Sequence, residues 1–96
     1  MYGTIGHFRV KAGMGEQLLE ALRQVGALQL PGSVAAYCYR TDASAQDYYI
    51  AVVFTSKEAY FAHARHPKVV AIDNRLMELL ESEPEWHDGE IVYAMK

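Results

Sequence analysis

Ninety-six residues, 51% of them hydrophobic and 22% charged, suffice for one domain with a modest core and are too apolar for a disordered chain. A net charge of −3 without a basic cluster excludes nucleic acid and anionic membrane as main partners, and no apolar run approaches the ~20 residues of a membrane span. The single cysteine, Cys38, leaves no internal disulfide, and MYGTIGHFRVKAG shows no basic leader before an apolar block. The expectation is one cytoplasmic domain over residues 1–96.

Tyr2 to Lys11 reads as a strand, with Tyr2, Thr4, Phe8 and Val10 at one parity and Ile5, His7, Arg9 and Lys11 at the other. Gly13 and Gly15 bracket a turn, and no G-x-x-x-x-G-K pattern makes a phosphate loop of the glycines. Glu16 to Leu28 carries an apolar stripe of Leu18, Leu22, Val25 and Leu28 at helical spacing. Pro31-Gly32 makes the next turn, and Ser33 to Arg40 is a second strand. The short polar segment Thr41 to Asp47 joins it as a hairpin to Tyr48 to Phe54. That third strand is apolar at both parities, so both of its faces should be covered. Thr55 or Ser56 can cap the helix that follows to Arg65, and Thr55 with Glu58 fits a capping box. His66-Pro67 breaks the helix, and Lys68 to Glu81 resumes one, with a stripe of Val69, Ile72, Leu76 and Leu79 or Leu80. Ser82 to Asp88 reads as a loop around Pro84, and Glu90 to Met95 as a last strand.

The order β-α-β-β-α-(α)-β gives an α+β, ferredoxin-like plait: a four-stranded antiparallel sheet with its helices on one face. The other face keeps large apolar side chains, and a second copy packed sheet to sheet would cover them, giving a homodimer.

The segment Phe54-Thr-Ser-Lys-Glu-Ala-Tyr60-Phe-Ala-His63, followed by His66-Pro67, resembles the signature of the antibiotic biosynthesis monooxygenase family. The resemblance implies a dimeric α+β barrel with a pocket between sheet and helices. It also implies a choice among cofactor-independent oxidation of phenolic and quinol-like molecules, haem degradation, isomerisation of a small metabolite, and no catalysis. Tyr60 matches a tyrosine that family monooxygenases place beside a phenolic substrate, and Phe54 falls where they often have Trp. Ile50 stands where they have Asn, and their pocket arginine has no aligned counterpart, Arg75 being the nearest basic residue. The haem-degrading branch uses Asn, Trp and His at positions held here by His7, His63 and Asp73. Haem degradation is therefore disfavoured, and neither haem nor flavin is expected.

A Tyr60 hydroxyl can hydrogen-bond an oxygen that gains negative charge, or simply pack its ring on the sheet. His63, one helical turn on, can serve as a general base near neutral pH, or bond a carbonyl near the helix C-terminus. His63 and His66 have metal-ligand spacing, but no Cys or carboxylate completes a cluster, so no metal is expected. Ala59 and Ala64 beside Tyr60 and His63 leave room for a ligand, and Phe54 would close its wall. His7, with Tyr37 or Tyr39, lines the pocket or forms a cross-strand surface pair. Asp73, Arg75 and Glu78 read as a solvated helix face and Met77 as core. The leading expectation is a cofactor-independent monooxygenase of a small aromatic or quinol-like substrate. The alternatives are a non-catalytic ligand-binding or stress-related dimer and a small-metabolite isomerase.

Overall fold

A computed structural model describes residues 1–95. Among these residues the chain forms β1 (Tyr2–Arg9), α1 (Gly15–Ala27), β2 (Ser33–Arg40), β3 (Asp47–Phe54), α2 (Lys57–Arg65), α3 (Pro67–Met77) and β4 (Glu85–Glu90). The strands form one antiparallel sheet in the order β2-β3-β1-β4. The helices lie on one face of it, which makes the ferredoxin-like arrangement.

Local chemistry sets the helix ends. Ser56, in extended conformation, caps α2 by accepting from the Ala59 amide at 3.1 Å. The Thr55 amide instead donates to the Gly32 carbonyl at 2.8 Å, so the cap falls one residue after Thr55 and the Thr55–Glu58 box does not form. Gly32 has φ +84, and a Cβ there would fall 2.5 Å from the Ala59 Cβ, so both its backbone and the approach of α2 require glycine. His66 ends α2 and opens α3, its Nδ1 accepting from the Lys68 amide at 3.2 Å with Pro67 in the first turn.

Two boundaries differ from the sequence reading. α3 stops at Met77 rather than Glu81. Beyond it the backbone turns to pair with the end of β1, where the Glu81 amide donates to Arg9 and the Lys11 amide to Leu79. The last strand covers Glu85–Glu90 rather than Glu90–Met95, so it begins inside the expected loop of Ser82 to Asp88. It pairs along the free edge of β1, from His7↔Glu85 to Tyr2↔Glu90. Main-chain bonding to that edge, and not an apolar pattern, makes it a strand, since all six of its residues are exposed.

The helix-covered face carries Phe8, Val10, Tyr48 and Ile50, which pack with Leu18, Leu76 and Leu80 into one buried cluster. Strand parity places Ile5, His7, Tyr49, Ala51, Val53, Tyr37 and Tyr39 on the opposite, open face. Tyr39 and Tyr49 stack at 5.6 Å between ring centroids, and Tyr49 stacks on His7 at 4.6 Å. Tyr37 and Tyr39 remain mostly exposed.

Candidate functional site

A cavity of about 520 Å³ lies between the helices and the covered face of the sheet. Its walls are mostly apolar, with Ile50, Phe54, Leu22, Val69 and Trp86 prominent among them. Polar groups interrupt them: Thr4, Tyr60, His63 and Asp73, with Arg23, Gln29 and Ser33 also in the lining. A smaller, more polar and more open hollow of about 400 Å³ near Glu16, Cys38 and Arg40 contains none of these groups. The size and the apolar walls of the larger cavity suit a small organic ligand.

The i, i+3 spacing on α2 turns Tyr60 and His63 toward the end of β3. Both rings meet the edge of the buried Phe54 ring, at 5.3 Å and 5.1 Å between centroids. Ala64 also lines the cavity, while Ala59 packs over Gly32. Trp86 closes the side toward β4. Its ring lies over Gly6, where a Cβ would fall 2.6 Å from it, and meets Phe8 edge-on at 5.2 Å.

The Tyr60 hydroxyl donates to Asp88 Oδ1 at 3.0 Å, and the buried Thr4 hydroxyl donates to the same oxygen at 2.7 Å. Desolvation, then the bond to the Asp88 carboxylate, pushes the Tyr60 phenol up to about 12, so it stays protonated at neutral pH. Burial, with a smaller contribution from nearby His66, holds the His63 imidazole below its ordinary range, which favours its neutral form. Asp73, also in the cavity lining, is exposed overall, but surrounding protein still desolvates its carboxyl and raises its pKa.

Of the sequence candidates, Phe54, Tyr60 and His63 come together at the cavity. Tyr37 borders it from edge strand β2, but its pairing with Ala51 puts its ring on the open face, 68% exposed. His7 and Tyr39 do not reach the cavity. They share the parity of Ile5, and His7 bonds Asp47 Oδ1 at 2.9 Å on the far side of the sheet. Asp73 lines the cavity instead of lying on a purely solvated face. Trp86, Thr4 and Asp88 went unrecognised in sequence, two of them because the stretch Ser82 to Asp88, read as loop, carries no apolar alternation. Among the described residues no group of three His, Cys, Asp or Glu side chains can hold a metal ion, and no helix is long and apolar enough to cross a membrane.

A family model described as antibiotic biosynthesis monooxygenase matches residues 1–75. No curated protein matches. Among solved structures, a variant of SnoaB, a cofactor-independent oxygenase from Streptomyces nogalater, superposes with TM-score 0.86 at 16% identity, covering 98% of this chain and 95% of its own. A Chloroflexus aurantiacus protein named for the antibiotic biosynthesis monooxygenases gives TM-score 0.84 at 24% identity over 99% and 96% of the two chains. A Nitrosomonas europaea protein named likewise gives TM-score 0.84 at 16% identity over 97% and 100%. At these identities the likeness is one of fold.

Proposed function

This chain belongs to the antibiotic biosynthesis monooxygenase family, and on that basis we propose that it is a cofactor-independent monooxygenase of a small aromatic or quinol-like substrate. The observation that carries the reading is the mostly apolar cavity of about 520 Å³ with a neutral, desolvated His63 in its wall. A flat phenol fits between the Phe54 end of β3 and the helices. His63 takes its proton, and the electron-rich anion that results reduces O₂ directly. With an anthrone, one oxygen atom becomes the new carbonyl, the other leaves as water, and the ring CH₂ supplies both hydrogens of that water. The walls keep bulk water from the anion. Tyr60 holds the ring edge and offers its hydroxyl oxygen to the substrate. The similarity in fold to SnoaB, itself a cofactor-independent oxygenase, supports the same class.

The same reading gives a cytoplasmic homodimer whose interface is the open face around Ile5, Tyr37, Tyr39 and Tyr49. A second reading, ligand binding without turnover, draws on Ile50, which leaves that wall apolar, and on the commitment of the Tyr60 proton to Asp88.

Oxygen uptake by metal-free protein with a panel of anthrones and hydroquinones separates the two. The first predicts uptake that His63→Ala lowers by roughly 10²-fold or more. Binding of the panel with no uptake favours the second.

A further inference from the structure

We propose that Asp88 is a positioning residue that fixes the hydrogen-bond polarity of the Thr4–Tyr60 wall of the cavity, so that this wall selects ligands carrying a hydroxyl over the corresponding carbonyl compounds. The inference rests on the reading of the cavity as an aromatic-ligand site and adds the sense in which that ligand is held.

A phenol and an alcohol each carry one proton to donate. Tyr60 and Thr4 both commit theirs to Asp88 Oδ1, at 3.0 Å and 2.7 Å. An ionised carboxylate accepts only, so neither hydroxyl can reverse its bond to that oxygen. Charge assistance makes both bonds stronger than a neutral pair would be. Both residues line the cavity, and both are left with lone pairs alone to offer a ligand. A ligand hydroxyl can donate to them. A ligand carbonyl set against Tyr60 and Thr4 meets two acceptors and has to draw a hydroxyl proton away from Asp88 to be bonded there.

The placement of Asp88 follows from the fold. Register pairs it with Thr4 across β1 and β4, on the helix-covered face, and α2 brings Tyr60 over the same point. Tyr2 packs its ring against Tyr60 at 5.4 Å and limits the swing of that ring. The protonated Tyr60 is consistent with this arrangement, since its pKa is pushed up to about 12 by desolvation and by Asp88. Oxidation of a hydroquinone to the quinone removes the donor that this wall prefers, so the product binds less well than the substrate.

The test measures binding of naphthohydroquinone and naphthoquinone, under nitrogen, to the wild type, Asp88→Ala, Asp88→Asn and Tyr60→Phe proteins. Wild type is expected to prefer the hydroquinone by about tenfold, the worth of one well-placed hydrogen bond. Asp88→Ala frees the Tyr60 proton and is expected to erase or reverse the preference. Asp88→Asn keeps an acceptor oxygen and is expected to keep most of it. Carbon-13 labelling of the tyrosine ring, with Tyr60→Phe to assign the signal, gives a readout without ligand. The Tyr60 titration is expected to fall toward the ordinary tyrosine range in Asp88→Ala. Position 88 is exposed on an edge strand, so these variants are expected to fold. An unchanged preference in Asp88→Ala, an equal loss in Asp88→Asn, or an unmoved Tyr60 titration overturns the proposal while leaving the aromatic-ligand reading intact. Failure of wild type to bind either compound overturns both.

Discussion

Substituting Gly6 by Ala perturbs the cavity wall without changing Thr4, Tyr60, His63 or Asp88. The new Cβ would sit 2.6 Å and 2.8 Å from two carbons of the Trp86 ring, so the ring has to move. Trp86 is already 46% exposed, and its escape route is outward, away from Phe8. The edge-on contact with Phe8 then goes, costing about 0.5–1.5 kcal/mol. Part of the buried half of the ring, on the order of 100 Å², also returns to water at about 25 cal/mol per Å². Alanine in a strand recovers about 0.5–1 kcal/mol relative to glycine. The net is a loss of about 2–3.5 kcal/mol. Trp86 is the only tryptophan, so its fluorescence reports both parts of the expectation. Urea unfolding should shift to lower denaturant, and native emission should move to the red as the ring enters water. An unmoved emission maximum with unchanged stability would falsify the assignment of Trp86 as the cavity wall over Gly6.

Three further expectations follow from the geometry. Because folding depresses the His63 pKa, the unfolded chain binds this proton first; stability is full above the ordinary histidine range and falls as pH drops through it toward the folded pKa. A His63→Phe variant should lose that part of the acid sensitivity in thermal melts, and an unaltered pH profile would count against a desolvated imidazole. Val52 packs against the core and Val53 lies on the open face, so Val52→Asp should cost about 3 kcal/mol in chemical unfolding. Val53→Asp should instead halve the mass seen by light scattering; a wild type already monomeric at micromolar concentration would remove the homodimer. Ser56→Ala deletes the cap bond to Ala59 and should cost about 1 kcal/mol, or roughly 4–8 °C in Tm, whereas Thr55→Ala should cost less.

Much of this fold is legible because its pattern is dense where packing is dense. The stripe Leu18, Leu22, Val25 and Leu28 announces α1, and the apolar run Tyr48 to Phe54 announces the central strand beside β1. β4 is illegible for the converse reason. Glu-Trp-His-Asp-Gly-Glu has no β-branched residue and no apolar alternation, and it is a strand only because β1 offers it an unpaired edge. The same gap hides part of the site. With residues 82–88 read as loop, nothing sets Asp88 opposite Thr4 or lays Trp86 over Gly6. His7 and Tyr39 illustrate a different limit. Their parity is plain in the sequence, but which parity meets the helices depends on where the larger side chains find partners. Phe8, Tyr48 and Ile50 find them in Leu18 and Leu76, which leaves His7 and Tyr39 on the open face.

The cavity and the core share one face of the sheet, and the side chains along β1 and β3 divide it between them. At one end Phe8 and Val10 oppose Tyr48 and Ile50, and Leu18, Leu76 and Leu80 pack over them. Toward the other end the β1 positions on that face are Gly6 and Thr4. Neither fills the space beneath α2, and Trp86 crosses over Gly6 to close the side. The hollow is therefore a consequence of small residues at two consecutive inward positions of a central strand, where a Val or Leu would extend the core. Thr4 in place of an apolar residue also leaves a buried hydroxyl that needs a partner. Asp88 supplies one across the sheet edge and takes the Tyr60 proton with the same oxygen. The omission that opens the cavity thus brings with it the polar pair Thr4 and Tyr60 in its wall, and both trace to the pairing of Thr4 with Asp88 and of Gly6 with Trp86.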